Sequence, residues 1–487
     1  MSDGLKTKAL HGLFWAFFER AGEQGIQFII SIILARLLFP EQFGLIGMLV
    51  IFMMIAETFL NSGFGPALIQ KKDATHIDEC SIFYFNILVG FLAAGLLCVA
   101  APWIADFYNQ PLLTPLTRAL SLNLIINAFG LIQITLLTKH IDFKTQLKVS
   151  VIAAVLSGTI GITMAFNGFG IWSLVAYSLS SNLFRTTLLW LSTTWRPSLV
   201  FSLKALRDMF GFGSRLLIAG LVRTIFDNLY LVVIGKLFSA GDLGYYARAK
   251  RLEGVPRTNL SGVVNKVTFP VLSTIQDEPV RLKRALRKAL TTLALFNFPM
   301  MIGLALIARP LVIVLLTEKW LPCVPYLRLL CITGLLYPLH AVNLNLLLAK
   351  GRSDLSLRLT VIKNAAKVVV LVITCRFGIE AILWGQIALS VCAYWLNAYY
   401  TKKLVGYGVA EQLCDVAPYL GGAVMMGACV YAAQFAVPAN VMLQLTLQVL
   451  SGVVLFTVLS WALRLPAFLE SWEMIRLTLL HHLVSHN

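Results

Sequence analysis

Residues 26–50 read IQFIISIILARLLFPEQFGLIGMLV. An apolar run closes on Arg36, the chain breaks at Phe39-Pro40, and a second apolar run begins within a few residues. A helix needs about twenty apolar residues to cross the hydrocarbon core, and proline lets one helix stop and the next begin. The stretch therefore predicts two membrane-spanning helices joined by a tight turn. The same alternation recurs along all 487 residues. Spans are expected at 11–36, 43–65, 80–101, 116–137, 147–166, 170–191, 213–238, 250–275, 289–316, 324–349, 358–376, 379–401, 415–437 and 440–463. The fold class is an all-α polytopic membrane protein with about fourteen transmembrane helices. Barrel strands would instead alternate polar and apolar in segments of about ten residues.

Composition agrees. Hydrophobic residues make up 58% of the chain and charged residues 13%, whereas soluble domains keep about 25% charged. The first apolar stretch, from His11 to Leu38, is too long for a signal-peptide core and is expected to remain as the first span. The net charge of +17 does not point to nucleic acid, because the cations cluster in short loops between apolar runs. With the N-terminus inside, one side holds Lys71, Lys72, Lys139, Lys144, Lys148, Arg196, Lys204, Arg281, Lys283, Arg284, Arg287, Lys288, Lys350, Arg352, Lys402 and Lys403. The other side holds few, among them Arg36, Arg118, Lys236, Arg309, Lys319 and Arg376. This asymmetry predicts a multi-pass protein of the bacterial inner membrane with both termini cytoplasmic. Residues 192–212, amphipathic around Leu203, Leu206 and Phe210, are expected along the cytoplasmic surface. The cysteines lack CxxC spacing and sit mostly in apolar runs, so they read as small hydrophobes.

The opening stretch has an echo. Ala35-Arg36-Leu37-Leu38 with Phe43-Gly44-Leu45 matches Gly235-Lys236-Leu237-Phe238 with Leu243-Gly244-Tyr245, at an offset of 200. Asn61 and Pro66 match Asn265 and Pro270; Pro115 and Arg118 match Pro325 and Arg328; Leu137 and Lys139 match Leu348 and Lys350; Phe169-Gly170-Ile171 matches Phe377-Gly378-Ile379. Six spans return the chain to its starting side, so the copies are parallel, related by an axis along the membrane normal and expected to leave a central cleft. The organisation predicted is an N-terminal lobe at 1–205, a C-terminal lobe at 206–405, and two further helices with a cytoplasmic tail at 406–487.

Ionisable groups within spans carry the functional expectation, since each costs about 2.5–3.5 kcal/mol at the bilayer centre on insertion scales. Glu19, Glu23 and Gln27 recur every four residues on one helix face, bordered by Arg20. Arg215, Arg223 and Asp227 repeat that spacing in the seventh span, with Glu23 aligned to Arg223 and Gln27 to Asp227. Either these faces line a wet cleft and hold an anionic substrate or coupling ion, or they neutralise each other as ion pairs. Glu57 and Asn61 share a face of the second span, and Asn265 and Lys266 lie in the eighth. Lys363 and Lys367 form a basic stripe that suits a phosphate or acidic sugar or, for Lys363, snorkels to the headgroups. His340 stands alone in a span and His481 and His482 lie in the tail, so no metal site and no cofactor are expected. Phosphate-loop, nucleophile-elbow and HExxH patterns are missing, and no catalytic residues are expected.

Several stretches resemble a known family: Leu34-Ala35-Arg36 with Phe43-Gly44-Leu45, Ser62-Gly63-Phe64-Gly65 with Ile69-Gln70-Lys71-Lys72, Phe269-Pro270 with Ile275-Gln276-Asp277, and Glu318-Lys319-Trp320 with Leu348-Ala349-Lys350. The chain is similar to the polysaccharide-transporter branch, of O-antigen and colanic-acid type, of the multidrug/oligosaccharidyl-lipid/polysaccharide flippase superfamily. The resemblance implies a V-shaped fold of two six-helix lobes. It also implies a non-enzymatic flippase that moves an undecaprenyl-diphosphate-linked oligosaccharide across the inner membrane by alternating access, alongside glycan polymerase or export machinery. A proton or sodium ion is the coupling ion to consider. The alternatives are a cation-coupled drug exporter of the same superfamily and an integral-membrane glycan polymerase or ligase.

Overall fold

The computed structural model describes residues 22–61, 63–433 and 440–473, with the backbone alone over 258–267 and at 433. The described residues are helical, and they separate into two compact units that meet in sequence at Gly244 and Tyr245. Ten described helices are long and apolar enough to cross a membrane. Those at Trp172–Ser192, Ala240–Thr274 and Ser353–Thr374 are as long but carry more polar residues, so the expected count of fourteen is not reached by that measure. An all-helical fold is what a bilayer selects, because a helix satisfies its backbone polar groups within itself.

The first unit runs from α1 (22–37) through α2 (Pro40–Asn61), α3 (Phe64–Gln70), α4 (His76–Tyr108), α5 (Leu113–Lys139), α6 (Phe143–Phe166), α7 (Trp172–Ser192) and α8 (Leu203–Leu237). Here α4 packs on α5, α6 and α5 on α7, and α2 on α8. Small residues set the close approaches: Gly158 lies under Ile30 and Gly161 under Tyr177. Of the segment 192–212, residues 203–212 are the first turns of α8, with Leu206 buried and Leu203 and Phe210 exposed. The second span breaks before α3, where Gly63 adopts φ 74° and a Cβ would collide with the carbonyl of Gly213 on α8. Only glycine meets both demands cheaply. The loop beyond is closed by Thr75 and Asp78 capping each other at the start of α4, with Lys71 paired to Asp78 at 2.8 Å.

The repeat read from the sequence has a structural counterpart within this unit. A Cβ on Gly44 would strike the carbonyl of Ala240, and one on Gly244 would strike the carbonyl of Pro40. The offset of 200 converts each clash into the other, so the starts of α2 and α9 (Ala240–Thr274) cross about a local two-fold. The caps are equivalent too. The Phe39 amide donates to Gln42 Oε1 at 3.1 Å, and the Ser239 amide donates to Asp242 Oδ2 at 3.3 Å.

The second unit continues α9 through α10 (Pro279–Leu306), α11 (Ala308–Leu316), a 3₁₀ turn at Glu318–Trp320, α12 (Cys323–Leu335), α13 (Tyr337–Ala349), α14 (Ser353–Thr374), α15 (Ile379–Val405), α16 (Val409–Ala433) and α17 (Val441–Ala462). One apolar core joins Leu286, Leu290 and Phe298 of α10 to Leu339 of α13, Tyr394 of α15 and Tyr419 of α16. The expected appendage is therefore packed into this unit. An ionic belt seals the junction: Lys283 pairs with Glu411 at 2.8 Å, Lys288 with Glu470 at 2.6 Å, and Arg287 with the buried Asp415. Asp415 also accepts from the Tyr407 hydroxyl at 2.8 Å. Burial, reinforced by that carboxylate, pushes the Tyr407 phenol above its ordinary range.

Because backbone sits where each added methyl would go, Gly44→Ala and Gly244→Ala should each cost about 1–3 kcal/mol. The measurement is the thermal unfolding midpoint in detergent, with Gly95→Ala, whose methyl meets nothing within 4 Å, as the neutral control. Midpoints equal to wild type in both variants would refute the crossing.

Candidate functional site

The expected site residues fall into two groups, one in each unit. In the first, Gln27 donates to Glu23 Oε1 at 3.1 Å along α1, and both are half-buried. Glu19 and Arg20 lie outside the described residues. On α2, Glu57 is half-buried and Asn61 exposed. The turn beside Glu57 carries a contact that a search for ionisable groups overlooks: Thr58 Oγ1 lies 3.2 Å from Thr224 Oγ1, joining α2 to α8. Gly220 leaves room for it, since a Cβ there would come within 3.1 Å of Thr58 Cγ2. One turn on, the buried Asn228 donates to the Thr224 carbonyl at 2.9 Å and touches Met54 Sδ at 3.5 Å.

Helix α8 thus has two polar faces with different fates. Thr224 and Asn228 form a seam toward α2. Arg223 and Asp227, each one residue earlier, turn away from it and meet as an ion pair at 3.4 Å, their side chains 83% and 61% exposed. Arg215 is exposed as well. Arg223 stands twenty residues along a 35-residue helix, close to its middle. Glu23 and Arg223 each close on a neighbour of their own helix, and no ion pair joins them among the described residues.

In the second unit, Lys363 on α14 donates to Asn397 Oδ1 on α15 at 2.9 Å, and Lys367, one turn on, is half-buried. Asn397 Nδ2 lies 3.2 Å from His340 Nδ1 on α13, whose Nε2 lies 3.0 Å from Ser390 Oγ. His340, solitary in the sequence, therefore belongs to a four-residue chain across three helices. Asn265 and Lys266 sit on α9 where the backbone alone is described. Earlier on the same helix, the buried Arg248 lies over the Trp320 ring at 5.1 Å, and the buried Glu253 pairs with Arg257 at 3.0 Å. Among the described residues, none of these groups presents a nucleophile, base and oriented partner together.

The two groups should respond differently to truncation. An exposed i,i+4 pair is worth about 0.3–0.5 kcal/mol, so Arg223→Ala should leave the thermal midpoint unchanged. Lys363→Met strips a donor from the buried Asn397 and should cost about 1–3 kcal/mol. The same midpoint assay checks both, and a large loss in Arg223→Ala would make that pair a fold-holding contact instead.

Residues 33–325 match the family described as Polysaccharide biosynthesis protein. The teichuronic acid biosynthesis protein TuaB of Bacillus subtilis is 33% identical over 309 residues, 62% of this chain and 63% of that one; the chain thus spans somewhat under two thirds of that relative. The lipopolysaccharide biosynthesis protein WzxC of Escherichia coli is 27% identical over 364 residues, 74% of each chain. Among solved structures, the lipid II flippase MurJ in an inward closed conformation superposes with a TM-score of 0.74 at 14% identity, covering 93% of this chain and 98% of that one. That likeness establishes the helical architecture. With more than half of its length matched, this multi-pass membrane protein belongs to the polysaccharide biosynthesis protein family.

Proposed function

We propose that the chain is a flippase that carries an undecaprenyl-diphosphate-linked oligosaccharide across the inner membrane by alternating access. The observation that carries the reading is the exposed Arg223–Asp227 pair halfway along a helix apolar enough to span a bilayer. A charge there is tolerated beside water or a partner; the two side chains pair with each other yet stay 83% and 61% exposed, and on this reading their face of α8 fronts a hydrated passage. The polyprenyl tail stays in hydrocarbon while the sugar and diphosphate move through water, which avoids desolvating a charged headgroup. Arg215 and Arg223 in the first unit and, taken separately, Lys367 in the second are the candidate cations for the diphosphate. The family and the relatives' roles in teichuronic acid and lipopolysaccharide biosynthesis support a glycan as cargo. The chain acts as a transporter and forms no covalent intermediate.

On this reading Lys71, Lys139, Lys283 and Arg287 lie at the cytoplasmic surface with both termini, an orientation that the positive-inside asymmetry supports. The Gly44–Gly244 crossing then lies at the outer face. Prolyl and glycyl backbone contacts of this kind hold by packing, which suits an element that parts and re-forms in each cycle. A glycan polymerase on the outer side is the partner that would take the delivered unit.

Purified protein reconstituted with labelled lipid-linked oligosaccharide should flip it between leaflets, and Arg223→Ala and Lys367→Ala should each slow flipping by at least about tenfold, the effect of 1.4 kcal/mol. Normal flipping by both variants would remove these contacts. Unchanged surface glycan with altered drug sensitivity in a deletion strain would favour a drug exporter.

A further inference from the structure

We infer that His340 is a proton-binding site whose occupancy decides whether Asn397 holds Lys363. Donors and acceptors alternate along the chain Lys363–Asn397–His340–Ser390. A lysine ammonium only donates, so the Asn397 atom 2.9 Å from it is the carbonyl oxygen. The Asn397 amide nitrogen, also a donor only, then faces His340 Nδ1 at 3.2 Å. Nδ1 must therefore accept, and the imidazole is the neutral tautomer with its proton on Nε2, directed at Ser390 Oγ 3.0 Å away.

Adding a proton to Nδ1 sets two donors against each other. The conflict is relieved when the Asn397 amide turns over and presents its oxygen to the imidazolium. The same rotation swings the NH₂ group onto the ammonium of Lys363, where two donors meet again, and Lys363 leaves. A proton on His340 and Lys363 on Asn397 thus exclude one another, with Asn397 as the two-position element between them.

The surroundings leave the exchange to these groups. Among the described residues, Lys363 is the charged group that acts on His340. From α15 the Tyr394 ring meets His340 edge-on at 6.5 Å between centroids, beside Ser390 and Asn397. Helices α10 and α12 also pack on α13, and among the described residues the hydrogen bonds of His340 go to Asn397 and Ser390. Asn397 is buried, so water does not readily replace the partners it loses. A released ammonium half-buried on α14 needs an anion; on the flippase reading, that anion is the diphosphate of the cargo. Cargo bound through Lys363 would then favour protonation of His340, which couples headgroup and proton at one place.

The test is made on the full-length protein in lipid nanodiscs. With ¹³C,¹⁵N-histidine, His340→Gln identifies the His340 signals among seven histidines, and near neutral pH they should show an unprotonated Nδ1. A protonated Nδ1 at that pH would overturn the proposal. ¹³C-methyl tags on the lysine amines keep their charge, and Lys363→Arg assigns the Lys363 signal. That signal should move with the same midpoint as His340 on acidification and should stay fixed in His340→Gln. A Lys363 signal that ignores the His340 titration, or one that still moves in His340→Gln, would equally overturn it. Flipping of labelled lipid-linked oligosaccharide, read in parallel, separates the two ideas: no flipping with both spectral changes present refutes the flippase and leaves the proton site, whereas flipping without them refutes the proton site alone.

Discussion

A polar group inside a bilayer must find its hydrogen bonds in the protein or keep water beside it, and that constraint sorts this molecule. The backbone complies by being helical. Side chains comply in two ways. Asn123, Ser178 and Asn182 tie α5 to α7, with Asn123 donating to Ser178 Oγ at 3.0 Å and Asn182 to Asn123 Oδ1 at 2.8 Å; Thr58 and Thr224 tie α2 to α8. These groups serve packing. Arg215, Arg223 and Asp227 are not buried against their own unit, and a charged pair exposed near the middle of α8 is the physical reason to expect water on that face.

The duplicated pattern has a mechanical meaning at the Gly44–Gly244 crossing. Two helix starts that approach until backbone touches backbone can do so only when both positions lack a Cβ, so the two copies are constrained jointly. The caps around them have drifted in chemistry while keeping geometry: an amide acceptor at Gln42 serves α2, and a carboxylate acceptor at Asp242 serves α9.

Much of this was legible in the sequence. Apolar run length announced the helices, and the matched Phe43-Gly44-Leu45 and Leu243-Gly244-Tyr245 announced a repeat whose geometry the crossing displays. The Arg223–Asp227 pair was readable because four residues on a helix bring side chains together whatever surrounds them. What could not be read joins distant positions. Lys363, Asn397 and His340 meet only after three helices pack, and spacings of 34 and 57 residues carry no periodic signal. Thr58 and Thr224 were passed over for a related reason: a hydroxyl in an apolar run looks the same whether it bonds its own turn or a neighbouring helix. The continuity of α8 through 203–212 carries no signal either, because that amphipathic pattern fits a separate surface segment as well as the foot of a long helix.

The belt from Lys283, Arg287 and Lys288 to Glu411, Asp415 and Glu470 bears on how such a chain can be trimmed over evolution. Three cations in two turns of α10 repel one another, and their counter-charges all come from the last part of the sequence. Shedding α16 and every residue C-terminal to it would leave that repulsion uncompensated and strip an apolar flank from α10 in the same event. A lineage that dispensed with those helices would first have to rewrite the foot of α10, so the late segment is anchored by its creditors in the middle of the chain.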